Sequence, residues 1–219
     1  MDQDTRKYIA AQLRKPAGEP ATQVGEKMNE GNRLLNLRAI GQLAVQSGDA
    51  LLEIGMGNGA FVPLLLAAGP AVRYVGCDYS PEMVQQATAR NQAAVASGQA
   101  RFLVAEAGSL PFPDDQFDKI LAVNTLYFWE HPEEILAGLH RLLKPAGTLV
   151  LGLRPKATMQ HYPFVSYGFR LYDAAEVTAL LAAAGFRAVR AVEEPEPDQE
   201  FNGQAQRVDS LLVVAQKPA

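Results

Sequence analysis

Between Ala50 and Arg154 short apolar runs alternate with segments of helical period, and this alternation limits the fold more strongly than any other feature of the chain. The runs are Ala50 to Gly55, Arg73 to Asp78, Ala100 to Glu106, Phe117 to Asn124 and Thr148 to Arg154. Each is almost continuously apolar, which suits a strand buried on both faces, so the pattern predicts βαβ units around a parallel sheet.

The intervening segments carry helix signals. Ser80-Pro81-Glu82-Met83 places an N-cap, a proline at the first helical position and an acid in the first turn, where amides are unpaired and the dipole is positive. Pro132-Glu133-Glu134 opens a second helix with Ile135, Leu136, Leu139, Leu142 and Leu143 on one stripe, stopped by Lys144-Pro145. Asp173 and Glu176 have the spacing of a capping box ahead of Val177, Leu180 and Leu181, and Gly185 supplies the stop. Ala188 to Val192 and Leu211 to Ala215 read as two further strands that close the sheet as a hairpin. Between them, the acidic and proline-broken stretch Glu193 to Gln206 reads as a solvated loop.

Ahead of the sheet, Asn32 to Ala44 is amphipathic, while Lys15 to Glu30 is rich in glycine, proline and polar residues. The expected organisation is an N-terminal helical arm and cap over 1–44, followed by one domain over 45–219. At 219 residues the chain suits a single core. Its net charge of −4 offers no basic face to attract phosphates, so nucleic acid is not an expected partner. The charged first residues lack the apolar centre of a signal peptide, and no stretch approaches about 18 apolar residues, so the expected setting is cytoplasmic, away from membranes. One cysteine, Cys77, forms no internal disulfide, and His131, His140 and His161 lack the close pairing of a zinc site, so no metal is expected.

The chemistry concentrates in Glu53-Ile54-Gly55-Met56-Gly57-Asn58-Gly59, a glycine loop ending a buried strand and leading into the helical run Ala60 to Ala68. Glycines there admit close approach of a ligand, at the strand end where open α/β sheets bind ligands. Asp78 ends the next strand, 19 residues after Gly59, where a carboxylate accepts from both hydroxyls of a ribose. Loop and acid together imply a nucleoside-containing ligand. The run Gly55 to Ala60 also fits the dinucleotide pattern with alanine in place of the third glycine, which keeps an NAD-binding oxidoreductase as an alternative. Against it, Glu53 would repel a pyrophosphate and favour a ligand bearing an ammonium group.

Several ordered blocks go beyond the loop: LLEIGMGNG, YVGCDYSPEMVQQA, VAEAGSLPFPDDQFDKILAVNTLYFWEHPEEIL, LLKPAGTLVL and LLAAAGF. Through them the chain resembles the class I S-adenosylmethionine-dependent methyltransferases from about Leu51 to Phe186, in particular the small-molecule group that includes the quinone-biosynthesis C-methyltransferases. The resemblance implies a Rossmann-like, seven-stranded, mostly parallel sheet with helices on both faces and an antiparallel last strand. It also implies S-adenosylmethionine as cofactor and a small-molecule methyl acceptor. By it, Gly55, Met56 and Gly57 line the methionine moiety, Glu53 holds the amino group through water or loop amides, and Asp78 takes the ribose. Tyr79 and Met83 flank the adenine. Glu106, where the family more often has Asp, and Ala107 meet its edge, and Asn124 lies beside the methionine end.

Thr125, Leu126 and Tyr127 are expected to turn toward the acceptor, with Phe128 and Trp129 in the core. Tyr127 and His161 are the candidate catalytic residues, His161 because it lies in Pro155 to Gly168, a segment that in this family often forms part of a lid. His131 is expected to play a local role at a helix start and His140 to sit on the surface. A binding protein that keeps the cofactor site without catalysis stays open as a second alternative.

Overall fold

The computed structural model describes residues 1–201 and 203–219. Seven strands form one sheet in the order β3-β2-β1-β4-β5-β7-β6. The first five, β1 (Ala50–Ile54), β2 (Arg73–Asp78), β3 (Ala100–Val104), β4 (Phe117–Val123) and β5 (Leu143–Leu153), pair in parallel. β7 (Gln204–Gln216) runs antiparallel between β5 and β6 (Arg187–Phe201). The expected sheet, with its reversed last strand, is the observed one.

Alternate residues of each central strand enter different cores, which explains the unbroken apolar runs. On one face Leu52, Ile54, Ile120, Leu149 and Leu151 pack with α7 (Pro132–Leu142) and α9 (Ala174–Ala183) through Leu136, Leu139, Val177 and Leu181. On the other, Leu51, Leu121 and Val150 meet α3 (Arg33–Leu43) and α4 (Val62–Leu66) through Leu35, Ala39, Leu43, Val62 and Leu65. α3 therefore belongs to the layers of the sheet as well as to the N-terminal arm.

The capping signals act as read. The Ser80 hydroxyl accepts from the Met83 amide at the start of α5 (Pro81–Arg90), and Asp173 and Glu176 form the full capping box of α9. α6 (Gln92–Ala96) follows α5, and α8 (Lys156–Met159) follows β5. Among the described residues no helix is long and apolar enough to cross a membrane.

One expectation is corrected. The stretch 193–206 is no solvated loop over the described residues, because β6 and β7 extend through it. Its acids meet arginines from elsewhere: Arg38 pairs with Glu194 at 2.8 Å and Arg154 pairs with Glu196, both partners of the second pair being buried. The prolines fit because β6 is the edge strand. In the N-terminal arm, α1 (Gln3–Arg14) is followed by α2 (Ala21–Gly31). Ala21 and Gly25 of α2 are buried, and a Cβ on Gly25 would stand 3.2 Å from Asn58 and 3.4 Å from Met83. The small residues let α2 lie close on α5 and the glycine loop.

Candidate functional site

The C-terminal ends of β1 to β4 open into one cavity of about 530 Å³, where ligands bind in open α/β sheets. Its floor begins with the glycine loop, whose three glycines stand there for three different reasons. A Cβ on Gly55 (φ +73°) would fall 2.2 Å from the Thr125 methyl carbon. One on Gly59 would strike Ala87 and Asn91 at 2.8–2.9 Å. Gly57 (φ +57°) has nothing within 4 Å of that position, so it leaves an open cradle. Asn58, buried between them, donates to Glu26 at 3.2 Å and accepts from Asn29 at 2.9 Å, tying the loop to α2.

Asp78 is held by the loop it faces: one oxygen accepts the Gly57 amide and the other the Ser80 amide, both at 2.9 Å. Burial raises its pKa despite these amides, and each oxygen retains a lone pair for a further donor. Tyr79, Met83, Ala105, Glu106 and Ala107 continue the lining past β2 and β3, and Asn124 and Thr125 complete it beyond β4. Asn124 adopts the left-handed region (φ +56°), which asparagine tolerates better than most residues.

Glu53 and Met56 take other positions. Neither lines the cavity; Glu53 is 5 % exposed beneath the loop and accepts from the Tyr74 hydroxyl at 2.6 Å. Burial pushes its pKa up to about 7, the Tyr74 bond holding it back and the nearby Asp78 adding to the rise. Met56 packs toward Gly76. Cys77 does line the cavity, its thiol pushed up to about 12 by burial and thus held protonated.

A turn of 3₁₀ helix over Leu126–Phe128 sets Phe128 on the cavity wall and Tyr127 in the core, while Trp129 is in the core as expected and also borders the cavity. Tyr127 donates to the Arg154 carbonyl at 2.9 Å and accepts the Arg154 amide, and burial pushes its pKa up. The hydroxyl also lies 3.2 Å from Asn124 Oδ1, so Tyr127, which does not itself line the cavity, stands behind a lining residue. His161 is exposed, and no residue of 155–168 lines the cavity, because Met159 and Phe164 enter the core instead. The segment read as a second lid is packed scaffold.

His131, Glu130, Glu134 and Ile135 line the cavity without having been singled out for it. Their position directly after a strand that ends at the ligand side was the available signal. His131 precedes α7 without capping it through its side chain. From the N-terminal arm come Leu13, Arg14, Pro16 and Met28, and Arg14 reaches Glu130 at 3.2 Å. Among the lining residues Arg14 is the one lysine or arginine, against Asp78, Glu106, Glu130 and Glu134.

A family model described as a methyltransferase domain matches residues 52–151. The 27-O-demethylrifamycin SV methyltransferase of Amycolatopsis mediterranei (strain S699) is 32% identical over 125 residues, which are 57% of this chain and 46% of that enzyme. The ubiquinone/menaquinone biosynthesis C-methyltransferase of Marinomonas sp. (strain MWYL1) is 29% identical over 174 residues, 77% of this chain and 68% of that one. The chain thus spans less than half the length of the first relative and about two thirds of the second. In fold it is similar to a putative methyltransferase solved in complex with the Haloferax volcanii Trm112 methyltransferase activator, with a TM-score of 0.77 at 22% identity over 96% of this chain and 98% of that one.

Proposed function

We propose, from the premise that this chain belongs through residues 52–151 to the class I S-adenosylmethionine-dependent methyltransferases, that it methylates a nucleophilic atom of a small molecule seated against Phe128 and Trp129. The observation that carries the reading is the continuity of the cavity, from Asp78 and the glycine loop to an aromatic and acidic far end. When bound, S-adenosylmethionine supplies an activated methyl group and leaves as a neutral thioether, so the chain needs no general acid.

The residues present fit that cofactor. Asp78 offers two fixed oxygens to the ribose hydroxyls, and Gly57 leaves room beside them. In this reading Tyr79 and Met83 flank the adenine, Glu106 and Ala107 meet its edge and Gly55 and Asn124 lie toward the methionine, all of them lining the one cavity. Met56 serves the loop's shape, and Glu53, its pKa pushed up to about 7 by burial beneath the loop, would be drawn to its ionised form by a ligand ammonium above. Four lining acids against one arginine, already engaged by Glu130, disfavour a pyrophosphate and with it NAD. The chain's contribution is alignment and exclusion of water, with Leu13, Arg14, Pro16 and Met28 of the arm over 1–44 as the cover. With a net charge of −4, the reading keeps a cytoplasmic small molecule, and neither nucleic acid nor membrane, as its partner.

Titration calorimetry with S-adenosylmethionine, S-adenosylhomocysteine and NAD tests the site. Binding of the first two without the third is expected, and binding of NAD alone overturns the proposal. Turnover of S-adenosylmethionine with candidate acceptors separates an enzyme from a binding protein of the same fold.

A further inference from the structure

We infer that Thr125 reads the amino-acid end of the cofactor, its hydroxyl donating to the methionine carboxylate. This rests on the S-adenosylmethionine reading above and adds a specificity-determining residue to it.

The Thr125 Oγ1 is buried and has no hydrogen-bond partner among the described residues, although Thr125 lines the cavity. Buried hydroxyls are normally paired, so an orphan in a ligand cavity marks a partner that arrives with the ligand. Its methyl carbon occupies the space a Cβ on Gly55 would need, 2.2 Å away, which holds the side chain against the glycine loop. A staggered step about χ1 would turn the hydroxyl out of this buried position to meet a ligand.

Sheet order says which part of the ligand it meets. β3, β2, β1 and β4 lie side by side, so a nucleoside with its ribose at Asp78 on β2 and its adenine toward Ala107 after β3 extends its other end across β1 to β4. Asn124 and Thr125 stand there. Donors for a carboxylate are scarce at that end. The amides of Gly55, Gly57 and Gly59 already donate to the Cys77 carbonyl, to Asp78 and to the Met56 carbonyl. Arg14 is engaged by Glu130. The ammonium finds acids in plenty, whereas for the carboxylate the side-chain donors at that end include the Thr125 hydroxyl and the Asn124 amide.

The experiment compares S-adenosylhomocysteine with 5′-methylthioadenosine, which lacks the amino acid, on the wild type, Thr125→Val and Thr125→Ser by calorimetry, with thermal unfolding of each protein without ligand. Thr125→Val is expected to weaken S-adenosylhomocysteine roughly 10- to 100-fold, to leave 5′-methylthioadenosine within about threefold, and to melt no lower than the wild type because it removes an unpaired polar atom. Thr125→Ser is expected to stay near wild-type affinity. Unchanged S-adenosylhomocysteine affinity in Thr125→Val, or equal loss of both ligands, overturns the inference while leaving the proposed function standing. A wild type that binds neither ligand removes both.

Discussion

Glu53 is a carboxylate placed where its charge is costly, and replacing it by glutamine should make the protein more stable above neutral pH. Its side chain is buried beneath the glycine loop with the Tyr74 hydroxyl as hydrogen-bond donor, and its pKa stands at about 7 against an ordinary 4.5. The folded state therefore holds a proton that the unfolded chain releases near pH 4.5. Stability tied to that proton is fully present below pH 4.5 and is lost as pH rises through about 7. At about 1.4 kcal/mol per pH unit between the two values, the loss is about 3 kcal/mol.

Glutamine resembles the protonated acid, and its carbonyl still accepts from Tyr74. Urea unfolding of both proteins at constant ionic strength, from pH 5 to pH 8.5, gives a difference curve in which the other titrating groups cancel. Glu53→Gln is expected within about 1 kcal/mol of the wild type at pH 5 and about 3 kcal/mol above it at pH 8.5. A flat difference curve, or one falling with pH, refutes the reasoning. Tyr74→Phe sharpens the test. The Tyr74 bond lowers the Glu53 pKa, so its removal should move the loss to higher pH.

Asp78→Ala should weaken S-adenosylhomocysteine binding by roughly 2–4 kcal/mol, since two charge-assisted hydrogen bonds vanish together; unchanged affinity in a folded variant, read by calorimetry, removes the ribose role. Gly55→Ala should cost about 2–4 kcal/mol of stability from the left-handed backbone and the overlap with Thr125. Pairing it with Thr125→Ala, which leaves only a carbon 3.6 Å away, should recover at least about 1 kcal/mol in a double-mutant cycle, and strict additivity would assign the cost to the backbone alone. Arg154→Met leaves the buried Glu196 only the Ser210 hydroxyl and the more distant Arg38, at 3.9 Å, and should cost about 3–5 kcal/mol in chemical denaturation. Adding Glu196→Leu should restore most of that, and a double variant no better than the single would mean that the pair is not the source.

The central sheet was legible because its signals are local. Ser80, Pro81, Asp173 and Glu176 act on amides within three residues, and the apolar runs of β1 to β5 report burial on both faces whatever lies opposite. The hairpin itself was read, but the extension of β6 and β7 through 193–206 was not legible, since Glu194 and Glu196, which help make it look solvated, are paired by Arg38 and Arg154, more than 40 residues away in the chain. α2 was hidden for a similar reason: Gly25 lowers helix propensity in isolation and earns its place only against Asn58 and Met83. Tyr127 and Phe128 were misassigned because a single 3₁₀ turn decides which of two adjacent aromatics faces inward, whereas Trp129 is in the core as read. Residue type carries no information about that rotation.

The cover over the cavity is fastened unequally, and this bears on how a ligand enters. On the nucleoside side, the Pro16 carbonyl accepts from the Ser80 hydroxyl at 2.5 Å, and the Gly18 amide donates to Glu82 at 3.3 Å. The Lys15 ammonium stands 3.9 Å from the centre of the Tyr79 ring. The Ser80 bond is buried and also belongs to the cap of α5, so breaking it disturbs a helix start. On the far side, the arm meets Glu130 only through Arg14, in a pair whose side chains are 42% and 76% exposed. Such a pair contributes about 0–1 kcal/mol and weakens with salt. The polar fastening of the cover is therefore weakest next to Phe128, Trp129 and His131, while Ile9, Ala10 and Leu13 of α1 hold it through apolar packing on the core. Under the proposed function, an acceptor entering on that side would leave the nucleoside end closed over an already aligned first ligand.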